Sequence, residues 1–238
     1  MKTVEDKGRT TTKERARLDA ESIIEAGLRI AAQPGMATVS VRDLGAMLDA
    51  APTAIYRHFG SKEGLMQALL DRLIVMCLEQ VTAPPEEWRQ RLTQLSKATL
   101  DIFVAYPAVG LEAMAFSTEG PGELDTIELM LDAYSRTGLE GDELVQHYAA
   151  LATYVLSFAA GVARAHSLSS TMEPNQTSPW WRRTLPVSAV SHPHISALRE
   201  EITALTDREI YFLGIKQLMD AAERAGASAR ERAATAQA

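Results

Sequence analysis

The chain has 238 residues, of which 46% are hydrophobic and 23% charged, and its formal net charge is −7 at pH 7. We find no apolar run long enough to span a bilayer and no secretory pattern at the start of the chain. We therefore expect a soluble, cytoplasmic protein of one or two domains without a membrane partner. Cys77 is the single cysteine, which excludes an internal disulfide and a cysteine-cluster zinc site and favours a small buried residue.

The charge is distributed unevenly. Residues 1–80 hold 11 Lys and Arg and 11 Asp and Glu, whereas residues 81–238 hold the other 13 and 20. Residues 1–17 are basic and poor in apolar side chains, which predicts a disordered arm. Such an arm can follow a nucleic-acid backbone or enter a minor groove, with Arg15 and Arg17 nearest the folded domain. A solvated tail is the alternative.

Two short helices are predicted to follow the first one. Asp19 can cap a first helix that runs to about Gln33, where a Pro-Gly pair ends it. Ser40 and Asp43 have the spacing of a second helix start. The apolar positions of this second helix are expected to face inward, with Arg42 on the outer side; they are Val41, Leu44, Met47 and Leu48.

A third helix is predicted over residues 52–59, after a turn too short for structure of its own. Pro52 suits the first helical position, where its missing amide costs nothing. Ile55 and Phe59 are expected to be buried. The other side chains point outward on a helix too short to stabilise much, which favours a recognition surface; they are Thr53, Ala54, Tyr56, Arg57 and His58.

The run AIYRHFGSKEGLMQALL, Ala54 to Leu70, resembles the helix-turn-helix signature of the tetracycline-repressor (TetR) family of bacterial transcription regulators, and Leu18 to Ala26 resembles that family's first helix. The resemblance covers most of residues 18–75. It implies that Arg42, Pro52, Thr53 and Arg57 read bases, and that Ser40, Tyr56, His58 and Lys62 hold phosphates. Ala54 lies on the same surface but lacks the threonine hydroxyl that is frequent there. The alternatives are a core aromatic for Tyr56 and solvated side chains for His58 and Lys62.

Two positions depart from the family pattern. Asp49 stands where relatives usually have glycine in the turn, and it tolerates the left-handed conformation better than most residues. Ala51 replaces the serine or threonine that often caps the third helix, a change that typically costs about 1 kcal/mol. We therefore expect this helix to be somewhat frayed until DNA binds.

The rest of the chain predicts helices only, so we expect an all-α protein. Ser61 caps a long fourth helix over residues 62–81, and a Pro-Pro pair after it marks the domain boundary. Further helices are expected at about 86–105, 107–117, 122–137, 142–168, 191–204 and 207–225. The predicted domains are a helix-turn-helix DNA-binding domain over 18–82, a larger helical ligand-binding and dimerisation domain over 83–225, and a disordered tail over 226–238.

The helices at about 142–168 and 207–225 are apolar on more than one face, so each needs a partner outside its own domain core. The run YFLGIKQLMDAA, Tyr211 to Ala222, resembles the last helix of TetR-like regulatory domains. The resemblance implies a homodimer through these two helices, with two recognition helices roughly 34–36 Å apart on a near-palindromic operator.

A small-molecule effector of unknown identity is expected in the second domain. Residues 169–190 form a long segment without predicted structure. Trp181 lies in this segment, next to aromatic and charged residues. The segment either covers a ligand cavity, contacts the other subunit or is a mobile linker whose tryptophans pack opportunistically. The candidate ligand residues are core residues in the competing interpretation; they are Phe103, Met114, Phe116, Met130, Tyr134, His147, Tyr154, Phe158 and Trp181. No cofactor or metal is expected, since His192-Pro193-His194 lacks further ligands.

Together these features predict a ligand-responsive repressor that a small molecule releases from its operator. One alternative is a small-molecule-binding protein of the same fold without operator binding. The other is an all-α enzyme, which the sequence does not favour because no nucleophile-and-base motif or metal set is found.

Overall fold

A computed structural model describes residues 18–33, 36, 38–168 and 187–236, and within these ranges all regular structure is helical. The all-α prediction is confirmed. The helices are α1 Ala20–Ala31, α2 Val41–Leu48, α3 Pro52–Phe59, α4 Lys62–Leu78, α5 Trp88–Ala105, α6 Pro107–Gly110, α7 Pro121–Ser135, α8 Gly141–Leu168, α9 Pro193–Ala197, α10 Arg199–Ala204 and α11 Asp207–Ala236.

Helices α1 to α3 pack on the first half of α4 around a small apolar core. Ile23, Leu44, Ile55 and Leu69, one from each helix, are fully buried. The predicted caps of the first two helices are present: the Asp19 carboxylate accepts from the Ser22 amide at 2.8 Å, and Ser40 caps α2. These caps satisfy amides that would otherwise lack partners, which fixes where each helix begins.

Two glycines allow the helices to approach closely. A Cβ on Gly64, in the first turn of α4, would lie 2.2 Å from the backbone oxygen of Phe59 at the end of α3. A Cβ on Gly45 would lie 2.7 Å from the backbone oxygen of Ala50. Both oxygens belong to the backbone and cannot move aside cheaply, so the angle between α2, α3 and α4 depends on these two positions.

Helix α4 continues into the second bundle, where it contacts α5 and α7. Helix α8 lies at the centre of this bundle and contacts α5, α6, α7 and α11. Phe103, Tyr134 and Tyr211 are fully buried there, and the Tyr211 hydroxyl donates to the Ser96 carbonyl at 2.8 Å. One continuous structure thus joins the small helical domain to the larger bundle through α4.

Several predicted boundaries differ from the structure. Helix α1 ends two residues and helix α4 three residues before the predicted end. Each helix is followed by a turn, which begins at the C-cap residue Ala32 or Glu79. The helix expected at 107–117 is α6 followed by a 3-10 turn, Leu111–Met114, and the one expected at 191–204 is split into α9 and α10.

The prediction of a disordered tail over 226–238 is wrong as far as Ala236, because α11 continues to that residue. Arg232 pairs with Glu143 at 3.1 Å, and Arg230 donates to the Thr137 carbonyl. Contacts with the start of α8 and the turn before it therefore hold the end of the chain. The sequence signal for this was present, since the segment is rich in alanine and arginine, which favour helices.

The expectation that no apolar run could span a bilayer also needs correction. The stretch Gly141–Ala165 of α8 is long enough, with a mean hydropathy of 1.2. This stretch packs against α5, α7 and α11 and is 28% buried, so its length and hydropathy alone do not make it a membrane span. The predicted arm over 1–17, with Arg15 and Arg17, and most of the segment over 169–190 lie outside the described residues.

Candidate nucleic-acid interface and ligand cavity

The turn between α2 and α3 has the geometry that the sequence predicts. Asp49 adopts the left-handed conformation, with φ 49° and ψ 46°, and the Ala50 amide donates to the Gly45 carbonyl at 3.0 Å. Asp is one of the few residues other than glycine that adopt this conformation at low cost. The turn therefore forms without a glycine at that position.

The start of α3 lacks a side-chain cap, as predicted. Ala51 has the extended conformation of a capping residue, φ −70° and ψ 144°, but no side chain accepts a hydrogen bond from the first turn. The Ala51 carbonyl accepts from the amide of Ala54 at 2.9 Å instead, and Pro52 needs no partner. The backbone is thus already arranged for a cap that alanine cannot provide.

Replacing Ala51 with serine should stabilise the protein by about 1 kcal/mol, because a hydroxyl at this position can accept from the first-turn amides. For a chain of this size that corresponds to a rise of roughly 2–4 °C in Tm, measured by circular dichroism. The matched control is Ala46→Ser at an exposed site inside α2, which should not raise Tm. A lower Tm for Ala51→Ser would contradict the prediction.

The outer face of this unit carries most of the predicted DNA-binding side chains. Arg42 and Arg57 are exposed, and neither forms an ion pair within the described part of the chain. The remaining exposed members of the set are Pro52, Thr53, His58 and Lys62, and the half-buried members are Ser40, Ala54 and Tyr56. The two free guanidinium groups can engage phosphates or guanine edges without first breaking a bond to a carboxylate.

Ser40 fits a phosphate contact less well than the sequence implies. Its hydroxyl donates to the Asp43 carboxylate at 2.5 Å and accepts from the Asp43 amide at 3.1 Å. Phosphate oxygens only accept, so a contact from Ser40 requires its single proton to leave Asp43. The contacts of all these residues with DNA remain a prediction, and for Ser40 the hydroxyl must first be released.

The inward-facing set needs one correction. Met47, predicted to face the core, is 41% exposed, and the buried residues of α2 are Val41, Leu44 and Gly45, all in its first five positions. Phe59 and Tyr56 are half-buried and both pack against the core. Tyr56 can therefore contribute its ring to packing and its hydroxyl to the outer surface, which accommodates both interpretations of this residue.

A cavity of about 110 Å³ lies in the second bundle between α4, α5, α7 and α8. Phe103, Phe116 and Met130, all predicted ligand residues, line it, and most of its wall is apolar. Cys77 also contributes, and burial raises the pKa of its thiol to about 12, against a smaller lowering by a Thr99 hydrogen bond. The thiol stays protonated at neutral pH, so Cys77 acts as the small buried residue that the sequence predicts.

The other predicted ligand residues that the structure describes do not line this cavity. Tyr134 is buried between Trp88 and His147, and burial raises its pKa. Tyr154 and Phe158 form an aromatic cluster with Tyr211, for which core packing is the simpler interpretation. Met114 is 54% exposed. Trp181 lies outside the described residues.

One end of the cavity is polar, and its residues were missed in the sequence. They are Thr118, Glu123, Thr126 and Tyr148. Burial would raise the pKa of Glu123, but hydrogen bonds from the amides and hydroxyls of residues 117–119 lower it overall. The Tyr148 pKa is raised by burial and then by the negative charge of Glu123. The only available signal was the spacing of Glu123 and Thr126, three residues apart on one helix face.

The same polar end is bonded to α4. Asp71 accepts from the Glu123 amide at 3.1 Å and from the Gly122 amide at 3.3 Å, which caps the start of α7. It also accepts from the Thr118 hydroxyl at 2.9 Å. The Gln67 amide group, one turn earlier, donates to the Ser117 carbonyl at 2.9 Å. Two side chains of the helix that leads from the helix-turn-helix thus hold the cavity wall in place.

The outer faces of α8 and α11 form a shallow apolar surface. It consists of Ala149, Ala150, Thr153, Tyr154, Gly214, Gln217 and Leu218. Leu213, on the same side of α11 one turn before Gln217, is 58% exposed. The two helices approach closely because a Cβ on Gly214 would lie 2.2 Å from the Tyr154 hydroxyl. Both helices are those expected to make a subunit interface.

Two protein-family models match the chain. The bacterial regulatory proteins of the tetR family match residues 23–69, and the tetracyclin repressor-like C-terminal domain matches residues 82–220, which is more than half of the chain. The HTH-type transcriptional repressor DrrR1 of Streptomyces coeruleorubidus is 24% identical over 214 residues, which is 87% of this chain and 77% of DrrR1.

Solved structures share the fold. Apo ActR from Streptomyces coelicolor has a TM-score of 0.73 at 19% identity, over 90% of this chain and 99% of ActR. ActR in complex with actinorhodin gives 0.72 at 19% identity, over 89% and 99% of the two chains. With both parts of the architecture matched, the chain belongs to the TetR family of bacterial regulatory proteins.

Proposed function

We propose that the protein is a transcription repressor that binds a near-palindromic operator as a homodimer and is released by a small molecule. The observation that carries this proposal is the continuity of α4, which begins beside the exposed face of α3 and ends in the wall of the cavity. A ligand that favours one position of α4 changes the separation of the two helix-turn-helix domains in the dimer. Release from the operator requires only that the ligand bind the DNA-free conformation more tightly than the DNA-bound conformation. The protein acts in the cytoplasm without enzymatic activity or a cofactor.

The relatives support the same assignment. DrrR1 is named as a transcriptional repressor, and ActR has been crystallised with actinorhodin and with (S)-DNPA. The acidity of residues 81–238 does not oppose DNA binding, because the reading surface on α2 and α3 carries Arg42 and Arg57.

A homodimer through α8 and α11 explains why their outer faces are apolar. Leu213→Arg should convert the dimer to a monomer, since a charge would be buried opposite its own symmetry mate or beside it. Size-exclusion chromatography with light scattering should then give the mass of one 26.0 kDa chain instead of two. The matched control is Leu124→Arg on α7, where the leucine is 60% exposed. A dimeric Leu213→Arg variant would place the interface elsewhere.

The decisive test of the function is a gel shift with DNA from upstream of the protein's own gene at moderate salt. A specific shift that a small molecule reverses is the expected result. Absence of any specific shift would favour the alternative, a small-molecule-binding protein of the same fold, for which the uncapped start of α3 at Ala51 is the structural argument. Turnover of a bound compound by the purified protein would instead support the enzyme alternative.

A further inference from the structure

The polar end of the cavity has a negative charge and no positive one. Glu123 is the only charged side chain among the residues that line it, and the other polar groups are hydroxyls and a thiol. The wall around this end is otherwise apolar, so a ligand entering the cavity loses most of its hydration. A carboxylate or phosphate on that ligand would lie next to the Glu123 carboxylate without a cation to pair with, and the two negative charges would repel each other.

Glu123 retains hydrogen-bonding capacity on one side. Its Oε2 atom accepts from the Thr118 amide at 2.6 Å and the Glu119 amide at 2.9 Å. It also lies 3.0 Å from the Thr118 hydroxyl, whose single proton it shares with the Asp71 carboxylate. Among the described residues, its Oε1 atom accepts only from the Ser117 hydroxyl, at 3.1 Å, and that hydroxyl is shared with Oε2. Oε1 can therefore accept a further donor without disturbing the loop that Oε2 holds.

A second polar atom at this end lacks a partner. The hydroxyl of Thr126, one turn after Glu123 on α7, is buried and has no hydrogen bond among the described residues. A buried hydroxyl without a partner is unfavourable, and a ligand that bonds to it removes that penalty. Ser96 and Thr99 differ, since their hydroxyls donate to backbone carbonyls of their own helix.

We infer that the cavity takes a small apolar ligand with a neutral or positively charged hydrogen-bond donor at one end, and that Glu123 is the residue that selects it. This inference depends on the proposed function in one respect, because it takes this cavity to be the site where the effector binds. Thr126 supplies the second polar contact, as a partner for the same head group. An alcohol, phenol or amine fits this site, and an organic acid does not.

Three one-ring compounds of similar size that carry different head groups test the assignment: benzylamine, benzyl alcohol and benzoate. A single ring suits the volume, since a dry apolar cavity of about 150 Å³ binds benzene. Isothermal titration calorimetry at millimolar concentrations should show benzylamine binding at least about tenfold more tightly than benzoate, with benzyl alcohol between them. Glu123→Gln should remove most of the difference between amine and acid while retaining the alcohol.

The matched control is Glu128→Gln, which removes a carboxylate from an exposed position of the same helix and should leave the order unchanged. Benzoate binding as tightly as benzylamine, an unchanged preference in Glu123→Gln, or no binding of any of the three compounds would each overturn the assignment. None of these measurements uses DNA. A failed gel shift would therefore count against the proposed function alone, and failed titrations against this inference alone.

Discussion

Arg57→Ala is expected to relax the choice of operator while leaving much of the general affinity for DNA. Arg57 lies near the end of α3, is exposed and has no ion pair within the described residues. A guanidinium group that bonds both acceptors of a guanine contributes roughly 1–3 kcal/mol of discrimination. The ratio of operator affinity to the affinity for a site with one base pair changed should therefore fall by about 5- to 150-fold, as measured by fluorescence anisotropy.

Lys62→Ala is the matched comparison, because Lys62 is exposed at the first position of α4 and is predicted to contact a phosphate and no base. It should weaken binding to every duplex by a similar factor and reduce the salt dependence of log K by about one phosphate contact. The two variants must therefore behave differently. An Arg57→Ala variant with unchanged discrimination and a lower affinity for all DNA would make Arg57 a backbone contact and leave base reading to other residues.

The helix-turn-helix could be predicted from the sequence almost to the residue, since its determinants are local. Ser40, Asp49 and Pro52 each specify a backbone conformation by their own chemistry, and the structure has α2 and α3 at the predicted boundaries. The missing cap at Ala51 was equally visible. Contacts that depend on neighbours were harder to predict: the bond between Ser40 and Asp43 is compatible with the capping pattern, but its competition with a phosphate contact becomes clear only from the geometry.

The cavity could not be predicted in the same way, because its wall combines side chains from four helices whose rotation depends on packing. Aromatic and sulfur-containing residues were the expected candidates, yet Tyr134, Tyr154 and Phe158 fill the core and only part of the set lines the cavity. The polar end contains Glu123 and Thr126, ordinary residues for a helix surface. The position of Glu123 relative to Asp71 on α4, some fifty residues earlier, distinguishes it from other surface carboxylates.

Asp71→Asn is expected to weaken the link between the cavity and the DNA-binding domain. The carboxylate accepts the amides of Gly122 and Glu123 with different oxygens, and asparagine would place an NH2 group opposite one of these donors. Loss of a charge-assisted bond at this cap should lower the free energy of unfolding by about 1–3 kcal/mol, measured by urea titration. Amide hydrogen exchange at the start of α7 should increase, because its first turn loses an acceptor.

The control for Asp71→Asn is Glu79→Gln, which removes a carboxylate from the end of the same helix, where its exposed ion pair with Arg72 contributes at most about 1 kcal/mol. If Asp71 only stabilised the bundle, a ligand would change operator affinity by the same factor in Asp71→Asn as in the wild type. If it transmits the state of the cavity, that factor should decrease towards one while ligand affinity itself changes little. The logarithm of this factor gives the coupling free energy between the two sites, and the coupling is reciprocal. The operator must therefore change ligand affinity by the same factor by which the ligand changes operator affinity.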